Sequence, residues 1–128
     1  MISPTLFDSH LDLTAGRFDG DRSDVITRAR VAGVTQMVTI ASTPEDARLA
    51  VSLAERTPGV WATAGLHPHE ESRISETLLG ELKELTERNE VVAVGETGLD
   101  FHYDHSPRDI QFSSFREHLD LAADVHLP

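Results

Sequence analysis

Four short stretches of this chain carry side chains that could do chemistry together. They are Asp8-Ser9-His10-Leu11-Asp12, Ser42-Thr43, His67-Pro68-His69 and Gly95-Glu96-Thr97-Gly98-Leu99-Asp100. Imidazole and carboxylate are the donors that suit divalent zinc, manganese or magnesium in hydrolytic centres. Glu96 follows the apolar run Val91-Val92-Ala93-Val94, and its charge must be matched there by a metal, a basic partner or a proton. His10 with Asp8, or His10 with Asp12, sets a nitrogen and an oxygen donor two residues apart, on one face of an extended segment. Both registers are open. Pro68 restricts the backbone at His67 and holds that ring in place. Gly95 and Gly98 suit close backbone approach or a turn. Asp100 is spaced to orient a ligand or a water. Each piece has a plainer reading: a polar strand end, a solvated loop, or an acid paired with an arginine.

What joins the pieces is connectivity. Apolar β-type runs predict strands at residues 5–8, 34–41, 60–66 and 91–96. The last run lacks polar alternation, so it reads as a strand buried on both faces of a parallel sheet. Between the runs lie helical patterns. Residues 21–32 carry Val25, Ile26, Ala29 and Ala32 on one face, with Gly33 as a stop. A second helix opens at Thr43, with Pro44 in its first turn, buries Ala47, Ala50, Val51 and Ala54, and is broken by Pro58-Gly59. A third covers residues 75–87, with Leu78, Leu82 and Leu85 inward. Ser106-Pro107 is expected to cap a fourth, with Phe112, Phe115, Leu119 and Ala122 inward. Four β-α units imply parallel strands joined by right-handed crossovers. Either a small open sheet or half of a (β/α)8 barrel fits; a complete barrel runs to about 250 residues. In both, all strand tips point the same way, so the four polar clusters share one rim.

Composition narrows the function. The 128 residues carry 22 acidic and 11 basic side chains, a net charge of −11. That balance argues against a broad basic face for duplex DNA, and Lys83, Arg88 and Arg108 form no patch. Without cysteine there is neither a disulfide nor a thiolate zinc site. Residues 1–9 lack the features of a secretory leader, and no apolar stretch approaches the roughly 20 residues of a membrane helix. The expectation is a cytoplasmic protein with no membrane partner. His102 and His105 read as solvated loop residues, His118 and His126 as surface positions of the last helix, and Trp61 as core.

The run from Gly95 to Asp100, followed by Ser106-Pro107-Arg108-Asp109, Gln111, Phe115, Leu119, Leu121, Ala122, Leu127 and Pro128, resembles the TatD family of metal-dependent hydrolases. Gly65-Leu66-His67-Pro68-His69 is similar to that family's Gly-Xaa-His-Pro-His motif, and Phe7-Asp8-Ser9-His10-Leu11-Asp12-Leu13 resembles its opening strand. The resemblance implies an α/β fold in which residues 1–128 form the N-terminal half of a TIM-type barrel, four β-α units stopping before a fifth strand. It implies one or two divalent ions (magnesium, manganese or zinc) and hydrolysis of phosphodiester bonds in DNA, or in a small phosphodiester, by a metal-activated water. By that likeness Glu96 is a catalytic metal ligand, joined by Asp8 and His10. His67 lies near the substrate phosphate, and His69, Asp100 and Asp12 bind substrate or orient the ligands. The first strand departs from the family's His-Xaa-His, and the family's later ligands would lie beyond Pro128. Two other readings stand beside this one: an amidohydrolase-like enzyme of the same lineage acting on esters or amides, and an inactive fragment. Unpaired strand edges would make such a fragment self-associate.

Overall fold

The computed structural model describes residues 5–128. Of the stretch read for a leader, residues 1–4 lie outside the described part. Four strands, β1 (Leu6–Leu11), β2 (Val34–Thr39), β3 (Val60–Ala64) and β4 (Val91–Val94), alternate with helices α1 (Arg22–Val31), α2 (Pro44–Glu55), α3 (Glu76–Thr86) and α4 (Arg108–Val125). Two 3₁₀ turns, Gly16–Phe18 and Pro68–Arg73, follow β1 and β3. The strands pair in parallel in the order β1-β2-β3-β4. A doubly wound sheet would reverse its order at a switch point. Here the order is strictly sequential, which is the arrangement of half a TIM-type barrel.

Two of the helices are capped by a side chain at their start. Thr43 accepts the Asp46 N–H at 3.1 Å and Pro44 occupies the first turn of α2, whose Ala47, Ala50, Val51, Leu53 and Ala54 are buried. Ser75 caps α3 by accepting the Leu78 N–H at 3.1 Å, and Leu78 and Leu82 are buried. Gly33, at φ 100°, ends α1 in a conformation that favours glycine. These apolar faces close over the sheet with Met37, Val60, Ala62, Ala64, Leu66 and Val91 to form one core.

Two expectations change. β4 is not buried on both faces: Val91 is buried, while Val92, Ala93 and Val94 are half-buried. It lies at the sheet edge, and on its open side the Val94 N–H donates to the Pro128 carbonyl at 2.8 Å. The buried face of α4 is also not the apolar stripe. Gln111, Ser114, His118 and Leu121 are buried, while Phe112 and Leu119 are 53 % and 54 % exposed. The helix is turned by about one position because Gln111 and His118 hold backbone groups of neighbouring loops. Ser106 makes no side-chain cap; instead its carbonyl accepts from Gln111 Nε2 at 2.9 Å. At the opposite edge, β1 is longer than expected, so Ser9 and His10 lie within it, and residues 6–10 are exposed. No described helix is long and apolar enough to cross a membrane.

Buried threonines tie each strand tip to the preceding one. Thr39 Oγ1 accepts the Leu13 N–H at 3.1 Å, and Thr63 Oγ1 accepts the Ala41 N–H at 3.0 Å. At the next step Gly65 is crossed by the chain leaving β4. A Cβ there would lie 2.5 Å from both the Glu96 carbonyl oxygen and Gly95 Cα. Gly65→Ala should therefore destabilise the chain by about 3 kcal/mol or more, as a backbone overlap that no side chain can relieve. Gly80→Ala, on α3 with open space around it, should stabilise by about 1 kcal/mol. Urea unfolding of the two variants beside wild type checks both signs.

Candidate active site at the strand tips

The rim is assembled by backbone bonds between strand ends. The Gly95 N–H donates to the Ala64 carbonyl at 2.8 Å, the Glu96 N–H to the Ala41 carbonyl at 3.1 Å, and the His67 N–H to the Ser42 carbonyl at 2.8 Å. The chain leaving β4 thus passes over the end of β3 and docks on the end of β2. This carries Glu96 inward, until its Oε1 lies 3.6 Å from His67 Nε2. Their side chains are 33 % and 24 % exposed, open enough to meet a ligand.

The His67 ring has a defined polarity. Its Nδ1 accepts the His69 N–H at 3.0 Å, so in the neutral ring the proton sits on Nε2, the nitrogen that faces Glu96. A metal-binding histidine needs the opposite arrangement, with its second nitrogen donating. His67 is therefore built to donate to an anionic oxygen. His69 Nε2 bonds Asp100 Oδ2 at 3.0 Å. Burial works against the Asp100 charge, but the Tyr103 and His102 N–H groups and the His69 ring together hold its carboxyl below the usual range.

The side chains of the other expected residues make no hydrogen bond or ion pair to this group. On β1, Asp8 Oδ1 accepts the His10 N–H at 3.1 Å, and both residues are exposed. Asp12 pairs with Arg17 at 3.8 Å, also in solvent. Ser42-Thr43 serves structure: Thr43 caps α2, and the Ser42 N–H donates to Asp46 Oδ2 at 3.0 Å. Among the described residues no three metal-ligating side chains converge. A divalent ion needs about four or more protein and water ligands in defined geometry. Glu96 suits one place in such a set, and the described residues do not complete it. A hollow of about 280 Å³ lined by Ser42, Thr43, His67, His69 and Glu70 opens beside the pair. A larger one of about 410 Å³ lies away from it, where Ile26 and Arg30 of α1 face Leu53 of α2.

Two buried residues behind the rim escape the reading of apolar periodicity. His118, expected at the surface, is 1 % exposed. Its Nε2 accepts the Leu66 N–H at 3.0 Å while Nδ1 faces the Ser114 carbonyl at 2.7 Å, so α4 grips the residue preceding His67. Burial pushes its pKa down, against the pull of the Ser114 carbonyl and Glu117. Glu71 is fully buried, and neither carboxyl oxygen makes a hydrogen bond of regular geometry. Burial raises its pKa to about 7, partly offset by the nearby Ser114 hydroxyl and Gly98 N–H. Residues 111, 114, 118 and 121 do repeat at helical spacing, but their polar members concealed the stripe.

A family model described as TatD related DNase matches residues 7–128. The chain is 41% identical over 123 residues to a 3'-5' ssDNA/RNA exonuclease TatD of Cronobacter sakazakii, covering 96% of this chain and 47% of that one. It is 38% identical over 123 residues to the uncharacterized metal-dependent hydrolase YabD of Bacillus subtilis, covering 96% and 48%. The crystal structure of YJJV, a TatD homolog from Escherichia coli K12, superposes with a TM-score of 0.88 at 34% identity, over 96% of this chain and 48% of that one. The chain thus spans about half the length of the curated relatives it matches.

The two buried residues can each be tested. The folded-state pKa of Glu71 lies above its ordinary 4.5, so the folded chain holds the proton longer than the unfolded one. Stability should fall as pH rises from about 4.5 to about 7 and then level off. Glu71→Gln should remove that component, so the wild-type minus variant difference in urea midpoint changes across this window and is flat above it. His118→Ala should cost about 1–3 kcal/mol by leaving the Leu66 N–H buried without an acceptor. His118→Gln, whose amide oxygen can accept, should recover part of the loss and the hydrogen-exchange protection of that amide.

Proposed function

Because the chain belongs to the TatD-related DNase family, we propose that it supplies the N-terminal half of a metal-dependent nuclease that hydrolyses phosphodiester bonds of single-stranded DNA or RNA. The observation that carries this reading is the Glu96–His67 pair, a carboxylate and an imidazole N–H set 3.6 Å apart at the strand tips. The substrate class is supported by the name of the Cronobacter relative, and the metal by that of the Bacillus one.

In this reading Glu96 is the carboxylate that the segment contributes to a centre of one or two divalent ions. Asp8 and His10 would add a carboxylate and an imidazole from β1. A bound magnesium, manganese or zinc ion would supply a water of lowered pKa and neutralise charge on the phosphate. The chain's own residues bind and orient the strand. His67 donates from Nε2 to a phosphate oxygen, its ring fixed by the His69 N–H. His69 and Asp100 hold each other at the edge of the same hollow. Asp12 lies further out, with its charge engaged by Arg17. A cytoplasmic setting suits the cysteine-free sequence.

The incomplete donor set favours a second reading for residues 1–128 taken alone: a chain with weak metal binding and no turnover. The exposed edge of β1, with Phe7 60 % exposed, would then promote self-association. The decisive assay uses labelled single-stranded DNA and RNA with magnesium or manganese. In an active polypeptide carrying this sequence, Glu96→Ala should lower the rate by more than about 100-fold, the upper range for residues that merely support ligands. Undiminished metal-dependent hydrolysis by Glu96→Ala would overturn the assignment.

A further inference from the structure

The loop between β4 and α4 places more rings at the rim than the Glu96–His67 pair uses. Asp100 Oδ1 accepts the N–H groups of His102 and Tyr103 at 3.1 and 3.2 Å. Gln111 grips the Asp100 backbone from below, accepting its N–H and donating to its carbonyl, both at 2.9 Å. Arg108 holds Asp104, the residue at φ 52°, through both carboxyl oxygens. These bonds set the loop backbone before any ligand arrives. On it the Tyr103 and His105 rings lie parallel, 1° apart in tilt with centroids 5.7 Å apart. The His69 ring stands edge-on to both, at 5.6 and 4.5 Å, and edge-on to His67 at 4.4 Å. The rings therefore run outward from the Glu96–His67 pair to Tyr103, which is 64 % exposed and has the His102 ring edge-on at 4.5 Å.

We propose that Tyr103, backed by His105 and braced by His69, is a stacking platform for one nucleobase of the strand whose phosphate lies at Glu96 and His67. The proposal rests on the nuclease reading and adds to it how the strand is held. A chain of net charge −11 without a basic face gains little from phosphate attraction. Stacking needs no positive charge, and each base–aromatic contact contributes about 1–3 kcal/mol with little regard to sequence. The acids of this loop are already engaged, Asp100 by His69 and Asp104 by Arg108. A base within a duplex has both faces covered, so the platform accepts an unpaired end or a single strand. The exposed part of the Tyr103 ring meets the base, while His105, His69 and His102 around it keep the ring from turning away.

Tyr103 is the sole tyrosine of the chain, so its ring signals report the platform without ambiguity. The test titrates a short single-stranded DNA into the chain, following strand affinity by fluorescence anisotropy and the tyrosine ring protons by NMR. A matched oligonucleotide with an abasic terminal position is run in parallel. The intact strand should shift the ring protons upfield and the abasic one should not. Tyr103→Ala should weaken binding of the intact strand by about 5- to 150-fold, equivalent to the stacking range above. It should leave abasic binding and the far-ultraviolet circular dichroism unchanged. Tyr103→Trp should retain affinity. If wild type binds both strands but Tyr103→Ala binds the intact one equally well, the platform is wrong and the nuclease reading survives. If wild type binds neither strand, the platform is wrong, and the Glu96→Ala assay decides the nuclease reading separately.

Discussion

The passage of the Gly95–Glu96 backbone across Gly65 is the constraint on which the rest of the site depends. A strand that simply ended at Val94 would leave Glu96 over its own tip. Instead the chain bends across β3, giving its N–H groups to Ala64 and Ala41. That crossing is possible only because residue 65 has no side chain. It brings a carboxylate from the fourth strand beside an imidazole that follows the third.

Around that crossing, the structure uses buried polar groups as fasteners. Thr39 and Thr63 each hold the chain that leaves the previous strand, so the strand tips are locked in sequence. Gln111 and His118 reach from α4 to the backbones of Asp100 and Leu66, one anchoring the loop after β4 and the other the residue before His67. Each bond satisfies a backbone group that burial would otherwise leave unpaired. Glu71 differs. Its carboxyl oxygens are buried without a regular hydrogen bond, and burial raises its pKa to about 7. Its position against Gly98 places an ionisable group directly behind the segment that carries Glu96.

The site is an arrangement of donors and carboxylates rather than a closed cage. Glu96 and His67 meet, His69 and Asp100 meet, and on β1 Asp8 accepts the His10 backbone N–H. This fits a chain that covers about half of its relatives, since the facing strands of a barrel would have to bring further ligands to the same rim. Hydrogen bonding also separates roles that composition leaves merged. All seven histidines look alike as donors in the sequence, yet His67 is polarised by a neighbouring N–H, His69 by a carboxylate and His118 by its burial between two backbone groups.

The sequence by itself determined the order of strands and helices along the chain, the cap at Thr43, and the clustering of polar residues at strand ends. These depend on local periodicity and on side chains bonding to neighbours three residues away. It also carried the family likeness, through motifs whose spacing survives reading in one dimension. Only the tertiary structure decided which face of α4 is buried. Apolar periodicity pointed to Phe112 and Leu119, but two polar residues won that face by pairing with backbone groups 11 and 52 positions away. It likewise decided that Glu96 joins His67 and that Glu71 lies in the interior. Such outcomes follow from long-range hydrogen bonding and desolvation, which depend on what the folded chain brings into contact and leave no period in the sequence.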